Sequence, residues 1–212
     1  MKYIDLTHKY KNGMTFGNPE NHPVVTIEPM ATLERKGCNT SRIILGSHLG
    51  THMDGKKHLL EDGESTDCID LSELIGPVSV VDLSGIGIGC RVEVEDLKDV
   101  EISERMIFSF GWAKYFGTEK YSESWPYFSR EAIEYLIDHG MRFIGMDIVG
   151  PDDKKDRNFP CHKALFEADA VIVENLANTS SIDFEQEYEM IAMPLSLEGS
   201  DGAPVRIILV NK

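Results

Sequence analysis

The stretch His48-Leu49-Gly50-Thr51-His52-Met53-Asp54-Gly55-Lys56-Lys57-His58 holds three of the seven histidines of the chain. Imidazole and carboxylate groups together are ligands for a divalent metal such as zinc or manganese. On a strand, His48 and His52 would lie about 13 Å apart, too far to share one ion. On a helix these histidines would be neighbours, but Asp54 would point away from His52. The stretch is therefore predicted to be a turn or distorted helical turn whose side chains converge on a metal.

Two later segments supply further candidates for the same chemistry. His162 follows Pro160-Cys161 at the start of a short predicted helix. Glu174 ends an apolar run, where a carboxylate is unexpected because a buried charge is costly unless it is paired or bound to a metal. Each residue has another interpretation, His162 as a capping or surface residue and Glu174 as the point where a strand reaches solvent. From the residues alone, both alternatives stay open.

The rest of the chain predicts a mixed α/β fold. Apolar runs predict strands over 42–46, 78–83, 105–110, 143–148, 170–174, 189–197 and 204–210. Apolar residues at helical spacing predict a helix over 130–139, capped by Ser129, and a short helix over 162–168. The last two strands are predicted to form a hairpin, and strand 42–46 is predicted to be buried. No linker or repeat interrupts the sequence, so a single domain over residues 1–212 is expected.

Composition and charge argue against several functions. The net charge of -15 disfavours nucleic acid as a partner, because phosphates would be repelled. No apolar run approaches the length that spans a bilayer, so no membrane partner is expected. The run 85–89 follows a strand but lacks the G-x-G-x-x-G spacing of a dinucleotide loop. Four cysteines without CxxC spacing, and no signal peptide pattern, predict a reduced, cytoplasmic protein.

Four motifs together carry a resemblance to a known family. The pattern HxGTHxDxPxH is matched by residues 48–58, except that Lys56 replaces the proline. The stretch Ile172-Val173-Glu174-Asn175-Leu176, the run 199–206 (GSDGAPVR) and the opening Asp5-Leu6-Thr7-His8 match three further patterns. On these motifs the chain resembles the cyclase family of metal-dependent hydrolases, whose members include bacterial kynurenine formamidases.

The resemblance implies two metal sites that share one carboxylate. His48, His52 and Asp54 would hold one ion, and Asp54, His162 and Glu174 would hold a second, with Asp54 bridging. One to two divalent ions per chain are therefore expected. The ligand set contains no thiolate, so zinc and manganese both stay open. The resemblance also implies a compact fold of the swivelling β/β/α type, with a mixed sheet and flanking helices, and a homo-oligomer, either dimer or tetramer.

The implied activity is metal-dependent hydrolysis of an amide bond in a small-molecule substrate. The expected substrate is N-formylkynurenine or a related aromatic formamide, and His58 would be the general acid/base. A lactonase or cyclic-amide hydrolase on the same site is an alternative, as is a metal-binding protein without turnover. His58 favours an enzyme, because metal storage needs ligands but no further acid/base.

Two features bear on the substrate. Lys56 and Lys57 are candidates for attracting a substrate carboxylate, although two lysines in a turn are also typical of a solvated surface. An aromatic-rich segment is a candidate substrate wall or oligomer contact, with the protein core as the alternative; it comprises Trp112, Tyr115, Phe116, Tyr121, Trp125, Tyr127 and Phe128.

Overall fold

The computed structural model describes residues 2–15 and 22–211. The strands of this part are β1 (Lys2–Asp5), β2 (Thr26–Ala31), β3 (Thr40–Ile44), β4 (His52–Asp54), β5 (Ile75–Asp82), β6 (Arg91–Val92), β7 (Arg105–Ser109), β8 (Tyr127–Phe128), β9 (Phe143–Met146), β10 (Val171–Glu174), β11 (Tyr188–Pro194) and β12 (Gly202–Asn211). The α-helices are α1 (Leu33–Lys36), α2 (Leu71–Leu74), α3 (Glu119–Glu123), α4 (Arg130–Asp138) and α5 (Pro160–Glu167).

Seven strands close into a mixed barrel. The strand order of the largest sheet is β1-β12-β11-β5-β7-β9-β10-β4, and β12 also pairs with β4, which closes the sheet with β1 outside the ring. Strands β5, β7, β9 and β10 run parallel, whereas the other pairings in this sheet are antiparallel. Parallel neighbours need a crossover connection, and α4 and α5 provide two of them. The predicted mixed α/β fold with flanking helices is confirmed.

Two apolar cores lie on opposite faces of the barrel wall, because successive side chains of a strand point to opposite faces. One core fills the barrel with residues from nearly every strand, among them Met53, Ile107 and Phe143. The other packs alternate residues of β7 and β9, such as Met106 and Ile144, against the helices. Apolar contacts from these two cores hold β4 and β10 in the barrel wall.

The predicted helices form for the reasons read from the sequence. The Ser129 side chain caps α4 by accepting the backbone N–H of Ala132 at 3.0 Å, and the helix buries its apolar stripe, Ala132, Ile133 and Leu136. Helix α5 begins at Pro160, two residues before the predicted start, because proline at the first helical position has the required φ and needs no partner for an N–H. The C-terminal hairpin is also confirmed, as β11 and β12.

Two local predictions were wrong. The strand predicted over 42–46 is β3, which within residues 2–15 and 22–211 pairs only with β2, and every residue of β3 is exposed. The stretch 48–58 is a turn, then the short strand β4 between β10 and β12, then one 3₁₀ turn over Lys56–His58. Both errors concern pairing with distant strands, which a local pattern does not encode. None of the described helices is long and apolar enough to cross a membrane.

Candidate metal centre

Strand β4 organises the site. His52 and Asp54 are two residues apart on it, so their side chains share one face. Strand β10 pairs antiparallel with β4 and places Glu174 directly opposite His52. Gly50, at φ 69°, turns the chain before β4 so that His48 returns to the same face.

The five predicted ligands converge around the Asp54 carboxylate. Asp54 Oδ1 lies 2.8 Å from His48 Nδ1 and 3.2 Å from His52 Nε2. Asp54 Oδ2 lies 3.5 Å from His162 Nε2, which is itself 3.1 Å from Glu174 Oε1. The ligand atoms of His48, His52 and Asp54 therefore form one group that could hold a metal ion, and those of Asp54, His162 and Glu174 form a second.

His52 provides the test of whether this donor set suits a cation. Its Nδ1 lies 2.9 Å from the Gly50 carbonyl oxygen, which can only accept a hydrogen bond, so Nδ1 carries the proton. The buried Nε2 then presents a lone pair and has no hydrogen-bond partner among the described residues. This lone pair faces Asp54 and the Glu174 Oε2 atom, 3.4 Å away. Three electron-rich groups directed at one another fit a bound cation.

The electrostatics of the metal-free chain agree with this fit. Burial raises the pKa of Glu174, and the nearby negative charge of Asp54 raises it further. Burial opposes protonation of His48, but Asp54 outweighs it and raises the pKa of His48 to about 9. Burial likewise opposes protonation of His162, yet hydrogen bonds to Asp152, Asp54 and Glu174 raise its pKa well above the ordinary value. A metal that binds these groups would therefore displace protons from them.

Asp152 is a site residue that the sequence analysis missed. Its carboxylate accepts the backbone N–H groups of Cys161 and His162 at the start of α5, and lies 2.5 Å from His162 Nδ1. Hydrogen bonds of this kind leave Nε2 of His162 free to face Asp54 and Glu174. The only signal for Asp152 in the sequence was its position in the segment before a helix that begins with proline. That position is typical of many capping residues.

Asn175 also supports the ligands. The Asn175 amide oxygen accepts the Tyr121 hydroxyl at 2.7 Å, and its amide nitrogen packs 3.2 Å from His52 Nδ1, whose proton is directed to Gly50. The Asn175 carbonyl oxygen accepts the Thr51 hydroxyl at 2.7 Å, which ties the motif stretch to the end of β10. Asn175 stands next to Glu174 in the I-V-E-N-L motif, which was the available signal.

His58 belongs to neither of the two groups that share Asp54, although it forms a third cluster of potential ligand atoms with His48 and Asp201. Its ring centroid is 4.0 Å from that of His48 and 6.4 Å from that of His162. One third of the His58 side chain is exposed. Burial of the remainder lowers the pKa of His58 to about 4, so the imidazole is neutral at pH 7. A neutral histidine at the rim of the centre can accept a proton.

The lysines and most of the aromatic segment serve other contacts. The Lys56 ammonium group contacts Asp169 and lies 3.4 Å from Glu64, and Lys57 donates to the Gly199 carbonyl at 2.9 Å. We therefore do not assign substrate recognition to either lysine. Within the aromatic segment, the buried core residues are Trp112, Tyr121 and Phe128. The half-buried rings of that segment pack against the same core: Tyr115, Phe116 and Trp125.

Comparison with known proteins agrees with the fold. The Cyclase family model matches residues 4–153. The kynurenine formamidase of Bacillus cytotoxicus is 28% identical over 213 residues, covering 98% of this chain and 97% of the relative. A solved structure described as a potential metal-dependent hydrolase with cyclase activity has a TM-score of 0.80 and 27% identity, covering 100% of this chain and 98% of its own. An isatin hydrolase bound to a product analogue, at 24% identity, has a TM-score of 0.85, covering 100% and 93%.

The family model covers well over half of the chain, so the chain belongs to the Cyclase family. The resemblance read from its motifs is confirmed, and the chain is a hydrolase. The described cluster of histidines and carboxylates, together with the metal-dependent structural relative, supports a divalent metal.

Proposed function

We propose that this hydrolase cleaves the amide bond of N-formylkynurenine or a related aromatic formamide. The observation that carries the proposal is the buried Nε2 of His52, which has no hydrogen-bond partner in the described part of the chain and faces two carboxylates, with the neutral His58 at the rim of the same cluster. A bound cation would satisfy the lone pair of His52 Nε2, and a hydrolytic reaction would use His58 for proton transfer. The full-length similarity to a kynurenine formamidase supports the substrate class.

The ligand assignment follows from which atoms face one another. We propose that His48, His52 and Asp54 hold one divalent ion and that Asp54, His162 and Glu174 hold a second, either zinc or manganese. The two oxygens of Asp54 face different histidines, as a shared ligand requires. When bound, such ions polarise a carbonyl group and lower the pKa of water.

His58 would move the proton in this reaction. Hydrolysis adds water to the formyl carbon, breaks the C–N bond, and releases formate and an aromatic amine. The attacking water loses a proton and the leaving nitrogen gains one. Neutral His58 can accept the first proton and deliver it to the nitrogen. A metal-storage protein would have no use for a histidine that belongs to neither ligand group.

The proposal is tested with metal-stripped protein reloaded separately with zinc and with manganese. Hydrolysis of N-formylkynurenine is measured beside a cyclic aromatic amide and an aromatic lactone, since the attack on the carbonyl is the same. We expect turnover of the formamide only after metal is restored. Metal uptake without turnover of any of these compounds would instead favour the non-catalytic metal-binding protein.

We also propose that the protein is a homo-oligomer that uses the β2–β3 ribbon as its contact. This two-stranded ribbon exposes Met30 at 71% and Ile43 at 58%, and it leads directly into the turn that carries His48. An isolated two-stranded hairpin is marginally stable in water, so a second copy of the chain would stabilise it. Ile43→Ser should lower the mass measured by light scattering, whereas Leu71→Ser, at another exposed apolar residue, should not.

A further inference from the structure

The loop Gly199-Ser200-Asp201-Gly202 has no role in the reaction as described so far, yet it lies against a proposed metal ligand. Asp201 Oδ2 is 3.0 Å from His48 Nε2. The other nitrogen of the same ring, Nδ1, is 2.8 Å from Asp54 Oδ1. His48 is thus held between two carboxylates, one on each ring nitrogen.

Gly202 lies directly against the imidazole ring of His48. A Cβ atom built on Gly202 would lie 2.6 Å from His48 Cε1 and 2.7 Å from His48 Nε2. Contacts this short do not occur in folded proteins, so a side chain at residue 202 would push the imidazole out of place. The backbone of the loop therefore forms a close-fitting surface beneath His48.

The loop is anchored independently of the Asp201 side chain. The Asp201 backbone carbonyl accepts the N–H of Gly55 at 2.8 Å, and the Ser200 carbonyl accepts the N–H of Thr66 at 3.1 Å. Asp67 accepts the N–H of Gly199 at 3.1 Å. Because these bonds fix the backbone, the carboxylate of Asp201 is free to contact side chains of the metal turn, namely His48 and the neighbouring Ser47.

We propose that Asp201 is a positioning residue for His48. Its carboxylate accepts the Nε2–H of His48, which selects the tautomer whose Nδ1 lone pair faces Asp54 and His52. Carboxylates that bind the remote nitrogen of a metal-binding histidine fix its orientation and increase its basicity. His58 Nδ1 is 4.0 Å from Asp201 Oδ2, beyond hydrogen-bond distance, so Asp201 acts through His48. This inference rests on the proposed metal site.

The test compares Asp201→Ala and Asp201→Asn with the control Asp67→Asn in the neighbouring segment. Zinc affinity of the metal-stripped proteins is measured by competition with a chromogenic chelator. We expect Asp201→Ala to bind zinc about 10- to 100-fold more weakly. Asp201→Asn should lose less, because an amide oxygen can still accept from Nε2–H. Asp67→Asn should match the wild type, since its remaining oxygen can accept from Gly199 and it does not touch His48.

Imidazole nitrogen NMR of the zinc-loaded proteins gives a readout that a purely structural role would not change. In the wild type, His48 should carry its proton on Nε2, and in Asp201→Ala that single tautomer should be lost. An affinity for zinc within about threefold of the wild type in Asp201→Ala, with His48 still protonated on Nε2, would overturn the inference and leave the proposed function intact. A wild-type protein that takes up no zinc would overturn both.

Discussion

The two sides of the metal centre use the same arrangement in different surroundings. On the inner side, Asp152 holds His162 by its Nδ1, and Gly150 lies so close that a Cβ atom would be 2.9 Å from Glu174 Oε1. On the outer side, Asp201 lies on Nε2 of His48, and Gly202 fits beneath the ring. The exposed fraction of the side chain is 4% for Asp152 and 47% for Asp201.

This contrast predicts which substitutions affect folding stability and which affect only metal binding or turnover. Asp152 also accepts two backbone N–H groups of α5, so the inner side is part of the folded core. The outer side consists of a turn, a loop and the rim histidine His58, and the side chains of His58 and Asp201 are partly exposed to solvent. We therefore expect changes on the inner side to reduce both metal binding and folding stability, and changes on the outer side to reduce metal binding or turnover alone.

The largest effect on metal binding and turnover is expected at Asp54, which the two sides share. Asp54→Asn removes a charge that faces His48, His52 and His162 at once. We expect loss of both ions, loss of measurable turnover, and loss of the thermal stabilisation that added zinc gives the wild type, because a ligand stabilises only the state that binds it. Metal analysis and thermal unfolding with and without zinc measure these effects. Retention of two ions would show that Asp54 is not the shared ligand.

On the outer side alone, His58→Ala should lower turnover by about 10²- to 10⁴-fold, the usual contribution of a general acid/base. Its metal content should stay close to that of the wild type, because His58 lies outside both ligand groups that contain Asp54. Steady-state kinetics and metal analysis on the same preparation separate the two roles. His58 would be reassigned as a ligand if this variant lost metal as completely as Asp54→Asn.

Apparent metal affinity should depend steeply on pH. The raised pKa of His48, about 9, and of His162 leaves both imidazoles protonated in the metal-free protein at pH 7. Both protons must leave when a metal binds, so binding should release about two protons and weaken about 100-fold for each unit that the pH falls near neutrality. Calorimetry in buffers of different ionisation enthalpy counts the protons. Release of none would mean that the two histidines are not ligands.

The smallest expected effect is on folding stability, and it distinguishes Asp152 from Asp201. Asp152→Ala should lower the free energy of unfolding of the metal-free protein by about 1 to 3 kcal/mol, because two buried N–H groups lose their acceptor. Asp201→Ala should change it by no more than about 0.5 kcal/mol, as is usual for exposed side chains. Urea unfolding of the metal-stripped variants provides both values. Equal losses would remove the distinction between the inner and outer sides.

Much of the local structure and the chemistry of the site were predictable from sequence. The Ser129 cap and the stripe of Ala132, Ile133 and Leu136 lie within one short segment, so the pattern determines α4. The stretch 48–58 predicted a metal centre because four potential ligands in eleven residues have few other uses. His162 and Glu174 were ambiguous by themselves, and the structure places both beside Asp54.

Other features arose only from tertiary contacts. The strand β4 exists because β10 and β12 pair with it, and the exposed β3 pairs with β2 outside the barrel sheet. The contact between His48 and Asp201 joins residues 153 positions apart. Asp201 lies in the motif run 199–206, but no local pattern indicates which imidazole it will meet. The sequence by itself determined the ligand types and the helix and strand that present His162 and Glu174, because these depend on near neighbours. Barrel closure determined the distances between them and the carboxylate that orients each histidine, because those contacts exist only once the distant strands have paired.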